Sequence, residues 1–282
     1  MQTHSVTRFR DWRISGNLNS VRNQGEGESC FAFASCAAVE FLYHRHPNFE
    51  QRVLLSPQDL WNNLVDVNLL MGADDDEDDS DGADDDEDGS NDDEDDSDGA
   101  DDDEDGSDDD EGGCSIPLAL EWIRDHGCVL EEDSPYLEVL QHPLPLNERL
   151  VKMRIETVVP VLSKNMEYDV FHYGPVIVSI DWIREMDRIS GDEIYQGPRH
   201  ASAFDPTLVT HHAVLVIGFG ARRVENELVQ FWIIQNSYGP EWGHNGCAKF
   251  TRAKIHNRYL INDGWRPAGV TNLDGNGIEY EV

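Results

Sequence analysis

Four residues in this chain have the types and surroundings that nucleophilic catalysis needs: Cys30, His212, Asn236 and Gln24. Cys30 sits at the start of SCFAFASCAAVEFLYHR, a run patterned as a helix. A thiol at a helix N-terminus feels the positive end of the dipole, which favours the nucleophilic thiolate. Phe31 and Phe33 beside it shield the sulfur from bulk water. A thiolate nucleophile needs a proton carrier and a group that orients it. His212 opens the apolar run HAVLVIGFG, at the mouth of a buried strand, and Asn236 closes another strand at QNSYG. The Asn236 carboxamide can take one ring nitrogen and turn the other toward the thiol. Gln24 lies six residues before Cys30 in the turn NQGEGESC. From there its amide, with the Cys30 backbone N–H, makes an oxyanion hole. Each residue alone also has a plain structural reading: a small buried cysteine, a histidine at a strand rim, a solvated glutamine.

These groups must be carried by defined elements. Apolar residues at Phe33, Ala34, Ala37, Ala38, Phe41 and Leu42 recur at helical spacing, with Ser29 as N-cap and Pro47 past the end. A second helix is predicted at Pro57–Leu64, capped by Ser56, and a third at Pro117–His126, ended by Gly127. From Arg154 the texture changes to short β-rich runs, RIETVVPVL, PVIVSI, HHAVLVIGFG and LVQFWIIQN. The expected organisation is an N-terminal segment (1–15) packing on the β-rich half, a helical half (16–153), the β-rich half (154–270) and a C-terminal tail (271–282). A cleft between two such halves is a common place for an active site.

The chain has 282 residues and a formal charge of −36, but that charge is local. Asp74–Glu111 holds 27 of the 57 acidic residues and no Lys or Arg, which leaves 30 acidic against 21 basic elsewhere. Within it SDGADDDEDGS occurs at Ser80–Ser90 and again at Ser97–Ser107. With no apolar residue larger than Ala, this insertion (74–111) cannot offset its ordering entropy by burial and is predicted disordered. Asp84, Asp86, Asp88 and Gly89 echo a calcium loop without its flanking helices or closing Glu, so no metal site is expected. So acidic a chain is a poor binder of nucleic acid, and no apolar run reaches the ~20 residues of a membrane-spanning helix. Five cysteines, Cys30, Cys36, Cys114, Cys128 and Cys247, leave at least one unpaired, and none form C-x-x-C.

VRNQGEGESCFAF, THHAV and QNSYGPEWGHNG together resemble the papain-like cysteine peptidases, whose blocks read Q-G…S-C-W-A-F, H-A-V and N-S-W-G-x-x-W-G-x-x-G. The resemblance extends to DWR (Asp11–Arg13), LSPQDL (Leu55–Leu60), GGCSIPLALEW (Gly112–Trp122), SPY (Ser134–Tyr136) and GPVIVSI (Gly174–Ile180). With the tract removed, Cys30 and His212 are 144 positions apart, within the family's ~130–150. The longer interval to Asn236 is assigned to a hairpin around Glu225–Glu227. The resemblance implies an α+β, two-domain papain-like fold: a helical domain facing a β-barrel-like domain, with the active site in the cleft between them. It implies Cys30 as nucleophile, His212 as base and then acid, Asn236 as orienter and Gln24 as oxyanion donor. It places Gly112 and Gly113 along the substrate backbone, and Ser179, Thr210 and Ala213 at the pocket for the second acyl-side residue. No cofactor is implied.

The chain also departs from the pattern. Phe31 stands for the Trp after the nucleophile, and Tyr238 for the Trp that covers the Asn–His pair, while Trp242 is kept. His211 replaces an acidic residue; protonated, it opposes an imidazolium at His212, so activity is expected to fall off in acid. Gly27 stands where the family carries a cysteine, the one expected just before the Gly112–Gly113 pair is replaced within the acidic tract, and the helix that usually carries a third has Asn62 and Asn63, so its usual disulfides cannot be built by matching positions. With no signal peptide visible, a cytoplasmic or nuclear site is expected from this chain, against the family norm of vacuole, lysosome or secretion. The expected partners are peptide or protein substrates, with basic proteins at the acidic loop; nucleic acid and membranes are not expected, and the chain is expected to be monomeric. Two functions follow: a cysteine-type endopeptidase working through a thioacyl-enzyme, or a catalytically impaired papain-fold binding protein whose acidic loop recruits basic partners.

Overall fold

A computed structural model of the protein describes residues 8–47, 49, 52–71, 115–148, 152–273 and 279–281. The acidic tract, Gly112, Gly113 and Cys114 lie outside the described residues. Among those described, the elements are β1 (Arg10–Asp11), α1 (Cys30–Arg45), α2 (Pro57–Met71), α3 (Ile116–His126), β2 (Lys152–Val161), α4 (Met166–His172), β3 (Val176–Trp182), β4 (Ile194–Tyr195), β5 (Thr210–Val224), β6 (Glu227–Gln235), β7 (Cys247–Thr251), β8 (Gly264–Leu273) and β9 (Glu279–Glu281).

Helix α1 is apolar on nearly every side, so it is buried nearly all round. It packs on β5 and β8 of the sheet and on α2 and α3. Tyr43 ties it to the sheet: the hydroxyl accepts from the Arg154 N–H at 3.0 Å and lies 2.6 Å from the Thr271 carbonyl. Ser56 caps α2 by accepting from the Asp59 N–H at 2.9 Å, and Ser115 caps α3. Ser29 occupies the N-cap position of α1 but makes no side-chain cap bond, because its hydroxyl is engaged by Tyr136.

The strands form one sheet in the order β2-β8-β3-β5-β6-β7-β4, with β1 on β5 and β9 on β8. Its end strands β2 and β4 do not meet, so the expected barrel-like half is an open sheet within an α+β fold. All ladders are antiparallel except β4–β7. The β5–β6 hairpin turns at Glu225 and Asn226, both at positive φ, as a two-residue hairpin loop requires. A bulge in β5 between Val216 and Gly218 bends the strand where β1 crosses it; a Cβ on Gly218 would lie 2.3 Å from the Arg10 carbonyl oxygen. The sheet does not stop at residue 270: β8 runs to Leu273, cutting through the expected tail, and β9 lies in that tail.

Candidate active site

The site forms where the N-terminus of α1 meets the start of β5. The Ser29 carbonyl accepts from the Ala32 and Phe33 N–H groups at 2.9 and 3.1 Å, which winds the first turn tightly beneath Cys30. The half-buried Cys30 Sγ accepts from the Ala213 N–H at 3.4 Å, the residue directly after His212. His212 is third on β5, opposite Ile180 of β3, and only 5% exposed.

Asn236 follows the end of β6, held by its own N–H on the Gly246 carbonyl at 3.0 Å. Its Oδ1 lies 2.7 Å from His212 Nε2 and also accepts from the Ser237 N–H at 2.8 Å. That backbone donor fixes which end of the amide is the oxygen. A ring nitrogen facing an oxygen must carry a proton, so Nε2 is the protonated nitrogen of the neutral ring and Nδ1 holds the lone pair. Burial pushes His212 down to about 4, against the opposing effects of the Asn236 bond and the Asp187 charge. Burial likewise pushes the Cys30 thiol up, although the Ala213 and Phe31 N–H groups favour its thiolate. The site therefore disfavours either charge alone.

Gln24 is buried. Its backbone N–H donates to the Ser237 carbonyl at 2.8 Å, its Oε1 accepts from the Ser237 hydroxyl, and its Nε2 donates to the Gly27 carbonyl at 2.7 Å. Tyr136 staples this turn: its hydroxyl donates to the Gln24 carbonyl at 2.8 Å and pairs with Ser29 Oγ at 2.7 Å. A Cβ on Gly27 would meet that hydroxyl at 2.3 Å and the Trp61 ring at 3.0 Å, so the approach requires glycine. Behind it, Glu40 of α1 accepts from Arg22 at 3.0 Å, the Leu55 N–H at 2.8 Å and Asn19 at 2.7 Å. This cluster fixes the segment that leads into Gln24.

A matching family model describes a papain family cysteine protease and covers residues 6–66 and 102–264. The chain belongs to that family. Human cathepsin L2 is 26% identical over 250 residues, covering 86% of this chain and 60% of the relative. Cathepsin L1 of Drosophila melanogaster is 28% identical over 251 residues, covering 86% and 53%. The chain thus spans less than two thirds of the length of these curated relatives. Among solved structures, a Carica candamarcensis cysteine protease, CMS1MS2 in complex with E-64, aligns with a TM-score of 0.63 and 21% identity, over 92% of this chain and 97% of that one. A structure from work on the mite allergens Blo t 1 and Der p 1 aligns at 0.65, with 21% identity, over 95% and 73%.

Against the papain-family pattern, the structure brings Cys30, His212, Asn236 and Gln24 to one place. Gly112 and Gly113 lie outside the described residues. Ser179 faces Ala213 across the β3–β5 ladder and lines a shallow surface pocket with Asp181, Arg258 and Asn262. Thr210 pairs with Trp182 on the alternate face, so the three expected pocket residues do not share one face. Phe31 is 2% exposed and packs in the core. Tyr238 lies 4.9 Å from the His212 ring, and Trp242 donates to the Met186 carbonyl at 2.9 Å. His211 points away from His212 and lies 3.6 Å from Asp181.

Sequence reasoning missed Trp182. Its ring is 4.5 Å from that of His212, at 60°, and buried. The signal was present in GPVIVSIDW: alternation puts Trp182 on the face of Ile180, the residue opposite His212. The SPY block carries Tyr136 as part of the resemblance, but its place as the staple of the Gln24 turn shows only in the structure.

Proposed function

We propose that the chain is a cysteine-type endopeptidase that cleaves peptide bonds through a thioacyl-enzyme. The observation that carries this reading is the Asn236–His212 bond of 2.7 Å beside a Cys30 sulfur that touches the next residue's amide. In the proposed reaction His212 Nδ1 takes the Cys30 proton as sulfur attacks the scissile carbonyl carbon, so the two charges arise together. The oxyanion is received by the Cys30 backbone N–H and by the second N–H of the Gln24 amide, the first being held by Gly27. The C–N bond then breaks, and His212 returns the proton to the leaving amine. Water, deprotonated by His212, next attacks the thioester and releases the acid and the thiol. Asn236 keeps the ring in the productive tautomer throughout.

An epoxide-type thiol-peptidase probe tests this. The folded protein is expected to take one equivalent at Cys30, and Cys30→Ala to take none there; absence of Cys30-dependent labelling in the folded protein removes the reading. One observation favours the alternative of an impaired papain-fold binding protein: burial holds both the thiol and the imidazole uncharged. In either case the acidic loop is proposed to draw basic partners by charge. Labelled Lys/Arg-rich peptides should then bind better than acidic ones at low salt, and this preference should shrink at high salt.

A further inference from the structure

We propose that Trp182 and Asp187 form a positioning pair that holds the His212 ring and supplies the negative charge its imidazolium faces. This rests on the Cys30–His212 reading above. Trp182 is the last residue of β3, and Asp187 lies in the 3₁₀ turn Met186–Arg188 that follows. The Trp182 indole N–H donates to Asp187 Oδ1 at 2.7 Å, while its ring stands 4.5 Å from His212. The same turn anchors a second indole, because Trp242 donates to the Met186 carbonyl at 2.9 Å. The two indoles lie 5.8 Å apart, and Trp182 also stands 5.5 Å from Tyr238. The turn is itself stitched down: Gly243 donates to the Ile189 carbonyl at 2.9 Å and Gly191 to the Gly243 carbonyl at 3.0 Å. His212 thus stands between the Trp182 and Tyr238 rings, and Trp182, with Trp242 behind it, is tied to one short, backbone-pinned turn.

These rings do more than exclude water. The faces of Trp and Tyr attract a cation, most strongly where it is desolvated. The charged and titratable groups around His212 are Cys30 from α1, Tyr238 after β6 and Asp187 in the turn. On the opposite face of the β3–β5 pair are His211, Asp181 and Arg258, which engage one another. Glu26 and Glu28 precede α1. Of these acids, Asp187 alone holds a ring that touches His212. A neutral hydrogen-bond acceptor would fix the indole as well, but it would not favour the imidazolium.

Asp187→Asn separates the two roles, because it keeps an acceptor for the indole and removes the charge. The measurement is Cys30 alkylation by iodoacetamide against pH, with the Cys30→Ala signal subtracted; it needs no peptide turnover. In Asp187→Asn the acid limb should move to lower pH by about half a unit, the order of one charge acting through partly wet surroundings, and the plateau rate should fall about threefold. Trp182→Phe, which loses the donor and the larger face, should lower the plateau by about tenfold. Near-ultraviolet circular dichroism checks folding. If Trp182→Phe does not fold, Asp187→Asn, at an exposed position, decides alone. An Asp187→Asn profile that superimposes on the parent's overturns the proposal, as does a lower plateau with an unmoved limb, which is a merely structural effect. Epoxide labelling keeps the two readings apart. Labelling with an unmoved limb rejects the positioning pair, whereas a moved limb without labelling rejects the peptidase.

Discussion

Replacing Tyr136 with Phe removes one oxygen from the Gln24 turn and leaves the packing of the ring unchanged. The ring keeps its edge contact with Phe33 at 4.7 Å and its neighbour Trp61 at 5.9 Å. What is lost is the bond to the Gln24 carbonyl at 2.8 Å and the contact with Ser29 Oγ at 2.7 Å. Tyr136 has one hydroxyl proton; it goes to the carbonyl, so Ser29, which is fully buried, donates to Tyr136. After the substitution Ser29 keeps a buried hydroxyl with no acceptor. One net hydrogen bond plus one stranded buried donor costs about 2 kcal/mol, against about 1 kcal/mol for Ser29→Ala, which leaves the Tyr136–Gln24 bond in place. In a domain of this size 2 kcal/mol lowers the melting temperature by about 4–8 °C. The double variant should cost about 2 kcal/mol rather than 3, because the second change removes the donor that the first had stranded. Urea unfolding of the four proteins measures the cycle. Peptide hydrolysis by Tyr136→Phe should show kcat reduced about tenfold with KM little changed, since a loosened Gln24 harms oxyanion stabilisation more than ground-state binding. A Tyr136→Phe protein within 0.5 kcal/mol of the parent, or a double variant equal to the sum of the singles, refutes the staple.

Two more outcomes follow from buried charge. His212 titrates near 4 in the folded protein, below its ordinary 6.5, so the unfolded chain binds its proton at the higher pH. The stability this gives is complete above 6.5 and is lost as the pH falls to 4, by about 3 kcal/mol at most. Urea unfolding between pH 7 and 4 should show this slope, and His212→Gln should lack that share of it. The same shift sets the acid limb of Cys30 reactivity near pH 4, so reactivity should persist at pH 5; loss of reactivity by pH 5 would instead support the sequence expectation of acid intolerance. Separately, Glu40→Ala strips Arg22 of a buried partner and leaves the Leu55 N–H without its acceptor. A loss of about 3 kcal/mol is expected in equilibrium unfolding, and one below 1 kcal/mol would mean that Glu131 compensates.

The helices and strands that carry Cys30, His212 and Asn236 were legible because each has a strong local period and a cap or break. Strand β8 was not: GWRPAGVTNL carries a Pro and two Gly, and its place in the sheet comes from pairing with β2, with Pro267 opposite Val158, and with β3 and β9. Helix α4, MEYDVFH, is too short for a periodic signal. The four site residues were found by type and spacing, whereas their supports were not, since Tyr136, Glu40 and Asp187 act through bonds to residues far away or around a turn. His211 shows the limit in the other direction. It is the residue next to His212 on β5, but its partner Asp181 comes from another strand, and only the β3–β5 register brings the two together.

The same logic explains how a papain-family site is held where the family's cysteines are missing. The described cysteines, Cys30, Cys36, Cys128 and Cys247, are all free thiols. At the position of one expected cysteine Gly27 makes room for the Tyr136 hydroxyl, which bridges Gln24 and Ser29. In the helix where another is expected, Asn62 accepts from Gln58 at 2.7 Å and from the Gln141 N–H at 2.8 Å, while Asn63 donates to the Asp59 carbonyl at 2.5 Å. A disulfide acts largely by constraining the unfolded chain, but these bonds exist only in the folded one. The substitution therefore moves stability from a redox-dependent link to bonds that persist under reducing conditions. Thermal melts with and without reductant should then coincide; a large drop on reduction would refute this account.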